Sequence, residues 1–151
     1  MRFGFVTMGL MACIGALGPA AQALAHAHAE RQWFTVTGNP LDAGANTVQV
    51  DPVALGIAGT TRTMNVRVNR SAPRLNWDKV PYRSYESQVV FDCQAGRAGY
   101  VQARYFTQPL WQGEPSAVAD YRQNPRPMLF RDMEPNPTSR IVQAACRIKN
   151  G

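Results

Sequence analysis

The chain reads as one α+β domain, a single antiparallel sheet with a C-terminal helix tied to it by a disulfide. Three observations predict this. Short segments alternate apolar and polar residues and are separated by Gly, Pro and Asn. A stripe of apolar residues at helical spacing ends the chain. Only Cys93 and Cys146 remain once an apolar leader is set aside.

The leader has the parts of a secretory signal peptide. Arg2 supplies a positive start, Phe3 to Leu17 is apolar and uncharged, and Gly18-Pro19 breaks the run. Small residues follow at Ala21, Ala23 and Ala25, so cleavage is expected after Ala25, with Ala27 and Ala29 as alternatives. The run is too short for a transmembrane anchor. A second reading takes Leu10-Met11-Ala12-Cys13 as a lipobox that anchors the protein through a lipid on Cys13. The apolar residues after Cys13 favour a protein exported to the periplasm or outer surface. In such a compartment two cysteines form a disulfide.

Removing 25 of the 151 residues leaves the length of one domain. The remainder is basic, with fifteen Lys and Arg against ten Asp and Glu. Only Lys79 and Lys149 are Lys; the other basic residues are Arg. Arg makes planar, two-pronged contacts with carboxylate, sulfate or phosphate. A GC-rich genome is the plainer source of that bias, but a basic surface still favours anionic partners.

Taken in order, Arg31 to Thr37 is a first strand closed by Gly38-Asn39-Pro40, and Thr47 to Val50 is a second. Asp51-Pro52 resembles a helix cap followed by Pro, so 51–57 is expected to be a short helical turn. Thr61 to Asn69 alternates, with Met64, Val66 and Val68 on a buried face and Asn65, Arg67 and Asn69 on a wet one. Arg62, Arg67 and Arg104 are expected to expose their guanidinium groups on the solvent side. Arg70 to Pro81 is expected to be a loop, because Pro73 and Pro81 bar a regular ladder.

Ser84 to Cys93 is a strand with Val89, Phe91 and Cys93 inward. Gly96 to Gly99 is a turn, and Tyr100 to Thr107 pairs back with Val101, Ala103 and Tyr105 on one face. Pro109 to Pro115 is a second turn region, Ser116 to Tyr121 a further strand, and Met128 to Arg131 a short apolar piece. Asn136-Pro137-Thr138-Ser139 starts the helix. Its inward stripe is Ile141, Val142, Ala145, Cys146 and Ile148, and Lys149 and Gly151 suit its end. Cys93 and Cys146 both face inward, so a bridge between them would pin the helix across the sheet.

Val50-Asp51, Tyr82-Arg83-Ser84, Val90-Phe91-Asp92-Cys93, Pro137-Thr138-Ser139 and Ala144-Ala145-Cys146 occur in that order. As a set they resemble the surface-adhesin protein E family of Gram-negative bacteria. The resemblance runs from Val48 to Arg147. With the leader and first strand read above, the expected division is a signal peptide (1–25), an N-terminal lead with a first strand (26–46) and an adhesin E-like domain (47–151). The resemblance itself concerns the domain. It implies a compact antiparallel sheet, a disulfide-held helix and an extracytoplasmic location. It also implies adhesion to host matrix proteins such as laminin and vitronectin.

No catalytic constellation is legible. A Ser-His-Asp arrangement needs a positioned His, and the only histidines, His26 and His28, lie at the mature terminus. The carboxylates are sparse, and no P-loop, dinucleotide or zinc spacing is present. No cofactor is expected. Cleavage after Ala25 would give His26-Ala27-His28 the amine, amides and imidazole that hold Cu(II) or Ni(II) in a square plane; a polar tail is the plainer account. Trp77, Tyr82 and Tyr85, near Arg74 and Arg83, have the character of binding-surface anchors. Against that stands core or rim packing of Trp33, Trp77 and Trp111. The reading is a non-enzymatic, exported, adhesin-like binding protein. Its expected partner is a protein or anionic polysaccharide rather than nucleic acid. The alternative is a periplasmic accessory protein that binds a small ligand or metal.

Overall fold

The computed structural model describes residues 31–148. The expectations for the signal peptide, Cys13, His26, His28, Lys149 and Gly151 lie outside the described residues. Within them, eight strands form one antiparallel sheet, followed by one helix. The strands are β1 (Phe34–Thr37), β2 (Thr47–Val50), β3 (Gly56–Ala58), β4 (Thr61–Leu75), β5 (Pro81–Asp92), β6 (Arg97–Phe106), β7 (Ala117–Asp120) and β8 (Arg126–Pro127); the helix is α1 (Thr138–Arg147). The spatial order is β1-β2-β4-β5-β6-β7, with β3 paired to β4 and β8 paired to β6.

The alternation in β4 works as expected. Met64, Val66 and Val68 are buried, and opposite them stand Val89, Ser87 and Tyr85 of β5. Ile141, Val142 and Ala145 of α1 pack on this face, as do Met128, Phe130 and Met133 from the strap before the helix. Cys93 and Cys146 are bridged, with Cα atoms 5.6 Å apart. The bridge holds the helix against the Cys93 end of β5. Asn136 starts α1 by accepting the Thr138 N–H on its side-chain oxygen at 2.9 Å.

Four expectations are corrected. Residues 51–57 form no helical turn. The Asp51 carboxylate accepts the Val53 N–H at 2.9 Å and closes a local turn, and Gly56–Ala58 is captured as a strand by β4. Arg70 to Pro81 is mostly strand. β4 continues to Leu75 through a wide bulge in which Arg70 to Pro73 face the single residue Arg83. Pro73 sits inside the bulge, where its missing N–H costs no ladder bond. The loop shrinks to 76–80, closed by Asn76, whose side chain accepts the N–H groups of Asp78 and Val80. The turn expected at Gly96 to Gly99 lies earlier, at 93–96, so β6 already begins at Arg97.

The fourth correction concerns which way side chains point. In β6 the pairing slips between Gln88 and Val89: Gln88 faces Gln102, and Val89 faces Tyr100. Val101 is the extra residue. The bulge switches the alternation, so Tyr100, not Val101, joins Ala103 and Tyr105 inward. Arg62 shares the parity of Met64, so it lies on the helix side. There its Nε donates to the Ile148 carbonyl at 3.2 Å, just past the end of α1, where a cation suits the helix dipole.

Candidate functional site: an arginine clasp and an aromatic cleft

The face opposite the helix is polar and centred on Arg67. Its guanidinium lies between two indole rings, 4.4 Å from the centre of Trp33 and 4.0 Å from that of Trp111. Its Nε donates to Gln49 Oε1 at 2.7 Å. Arg67 is therefore on the expected face but is covered rather than free in water, and desolvation lowers its pKa. Arg104 on the same face is exposed, within 3.9 Å of Glu86.

A strained turn places Trp111. Leu110 and Trp111 both have positive φ, 53° and 58°, in a conformation that costs L residues about 1–2 kcal/mol each. Asn69 and Ser84, fully buried, hold it. Asn69 Oδ1 accepts the Leu110 N–H at 2.8 Å, Ser84 Oγ accepts the Trp111 N–H at 3.0 Å, and the Trp111 indole donates to the Tyr85 carbonyl at 3.0 Å. Asn69 also donates to the carbonyls of Ala43 and Ala45. This explains why a residue expected on the wet face is buried: two loops fold over it, and its amide satisfies both.

The second site lies on the helix side, at the end of β5 away from Cys93. The helix does not reach it. What remains is a cleft of about 650 Å³, within the range of small-molecule sites. Its walls include Tyr82, Tyr85, Tyr100 and Tyr105, with Trp77 at the rim and Phe130 from the strap. All five tyrosines of the chain meet here, since Tyr121 joins through Trp77 and Tyr105. Tyr82 lies 5.1 Å from Tyr105 and 5.5 Å from Tyr85, centre to centre. The hydroxyls of Tyr85 and Tyr100 are 2.7 Å apart. Burial pushes the pKa of both well up, and that of Tyr105 too.

Four cations line the cleft: Arg70, Arg74, Lys79 and Arg131. The β4 bulge turns Arg70 inward, where it is only 3% exposed. Asp132 pairs with Arg70 and also with Arg74, the latter at 3.2 Å. One carboxylate thus answers two guanidinium groups, and the Arg70 Nε has no partner.

Of the anchor residues read from the sequence, the structure gathers Trp77, Tyr82, Tyr85 and Arg74 at this cleft. It separates Arg83, which instead ties the β4 bulge and the loop before β2 by donating to the carbonyls of Arg70 and Ala43. None of the three tryptophans is in the buried core. Sequence reasoning missed Arg70, Tyr100 and Asp132. The first two are hidden by bulges. Only the fold brings in Asp132, 62 residues from Arg70.

Among the described residues, no group of three His, Cys, Asp or Glu is placed to hold a metal ion. No helix among them is long and apolar enough to cross a membrane.

The fold and these two surfaces define a small sheet-and-helix domain that displays aromatic and arginine side chains on a braced scaffold. The family model for surface-adhesin protein E matches residues 27–147, and the chain belongs to that family. It is an adhesin-like surface protein, exported or held at the cell surface. No curated protein matches the chain. No solved structure matches it either.

Proposed function

We propose that the mature domain is a non-enzymatic binding protein that contacts a host or extracellular macromolecule, either a protein or an anionic glycan. On this reading residues 1–25 direct export across the inner membrane of a Gram-negative cell. The observation that carries the reading is the cleft. It joins rings that supply contact area at low entropy cost with cations in excess over its one paired carboxylate. Its walls are strands β4, β5 and β6 and the strap before the helix, so little ordering is left to be done on binding.

The test is binding of the mature protein to immobilised laminin, vitronectin and a sulfated glycan over a range of salt. The expected result is binding at low ionic strength that weakens steeply as salt rises. Replacing Arg74, Lys79 and Arg131 together should slow association more than it speeds release. Absence of binding to all three, with no exposure on intact cells, overturns the proposal in favour of a periplasmic accessory protein.

A further inference from the structure

We propose that the cleft beside Trp77 is a site for one acidic sugar ring, a pyranose bearing a carboxylate. This rests on the binding reading above and names its ligand. Three features of the cleft each match one part of such a ring.

The first is the flat aromatic wall. Trp77 is 45% exposed at the rim, although its ring lies 5.7 Å from Tyr100 and 5.8 Å from Tyr121. Those neighbours fix its orientation and leave one side open. A fixed, half-open indole offers an apolar platform to the C–H face of a pyranose.

The second is the cation set. Asp132 spends its charge on both Arg70 and Arg74, and Arg74 remains 42% exposed in its side chain. Lys79 and Arg131 line the same cleft and form no ion pair among the described residues. An entering carboxylate meets Arg74 already aimed by Asp132. It lies beside a buried guanidinium with one unused N–H. Arginine favours a planar two-oxygen anion in such a position.

The third is the polar content of the aromatic floor. The Tyr82 hydroxyl has no protein partner among the described hydrogen bonds, and the Tyr85–Tyr100 hydroxyl pair has acceptor capacity left. Ring hydroxyls of a sugar use these groups. A purely aromatic acid would use the rings and cations but leave the hydroxyls unsatisfied.

The experiment is a titration of the mature protein with glucuronate, followed by NMR of the indole and guanidinium N–H groups and by calorimetry. Glucose, benzoate and a glucuronate-bearing polysaccharide serve as comparisons. Glucuronate should shift the Trp77 indole N–H, and glucose should bind at least about tenfold more weakly, a loss typical of one charge-assisted contact. Trp77→Ala and Arg74→Gln, both at exposed positions, should each weaken glucuronate about tenfold while circular dichroism stays unchanged. Equal binding of glucose, or benzoate binding as tightly as glucuronate, overturns the assignment. So does full retention of binding in both variants. Binding of the polymer with none of the free acid would place recognition on an extended surface and also overturn it. The same variants are assayed on laminin and vitronectin. If wild type binds these proteins but not glucuronate, the sugar site fails and the macromolecular reading stands. If it binds glucuronate but none of the macromolecules, the reverse holds.

Discussion

Raising the pH above 10 should unfold this domain through its tyrosines. Tyr85 and Tyr100 are 6% and 4% exposed and share a hydroxyl contact at 2.7 Å. Desolvation is the largest cause of the upward pKa shift of each. In the unfolded chain both ionise near the ordinary value of 10.0. Above that pH the folded state holds more protons than the unfolded state. Stability is therefore fully present below pH 10 and falls as the pH rises further. Each group contributes a slope of about 1.4 kcal/mol per pH unit, so the pair contributes about 3 kcal/mol per unit. Against a total of about 5–15 kcal/mol for a domain, the pair's loss reaches the lower end about two units above pH 10.

The assay is an alkaline titration that follows phenolate absorbance and circular dichroism on one sample. The two curves should rise together, because the buried phenols ionise only when the fold opens. The double variant Tyr85→Phe/Tyr100→Phe removes both hydroxyls at once, which leaves no orphaned partner. It should flatten the loss of stability by about 3 kcal/mol per pH unit. Ionisation of all five tyrosines near pH 10 with the dichroism intact would refute the argument, and the dry cluster with it.

Cys146→Ala opens a loop of 53 residues; in the chain-entropy model this costs about 4 kcal/mol, read from the urea midpoint. Arg67→Ala removes two ring contacts and the bond to Gln49. It should cost about 2 kcal/mol and shift tryptophan emission to the red as Trp33 and Trp111 lose their cover, and Arg67→Lys should restore only part of this. Asp132→Ala leaves Arg70 buried and unpaired, and because Asp132 is itself 45% exposed the loss should be about 1–3 kcal/mol, measured by thermal and urea unfolding. Gly38→Ala should destabilise by about 2 kcal/mol or more, since φ is +84° and the added Cβ would meet the Asn46 carbonyl oxygen at 2.2 Å.

Much of the fold was legible because its signals are local. The two-residue period of Met64, Val66 and Val68 names their buried face with no knowledge of a partner strand. The Asn136-Pro137 start and the stripe from Ile141 to Ala145 do the same for the helix. The two cysteines remaining after the leader left one pairing. The errors lie where a local rule meets a contact it cannot see. Pro73 marks a break in any single strand, yet a wide bulge opposite Arg83 absorbs it. The alternation of Val101, Ala103 and Tyr105 is genuine in the sequence, but one inserted residue reverses its sense for Tyr100.

The amino-acid order by itself therefore determined the class of domain, the buried apolar faces of β4 and β5, the closing helix and its bridge. These depend on spacing along the chain, and spacing survives any choice of neighbours. The tertiary structure alone decided that Arg67 would be clasped by Trp33 and Trp111, from segments far apart in the chain, and that Asp132 would bridge Arg70 and Arg74. It also decided that four scattered tyrosines would line one cleft, with Tyr121 packed behind them against Trp77 and Tyr105. Each of these depends on which strands lie side by side and where a bulge turns a side chain, and no periodicity in the sequence records either.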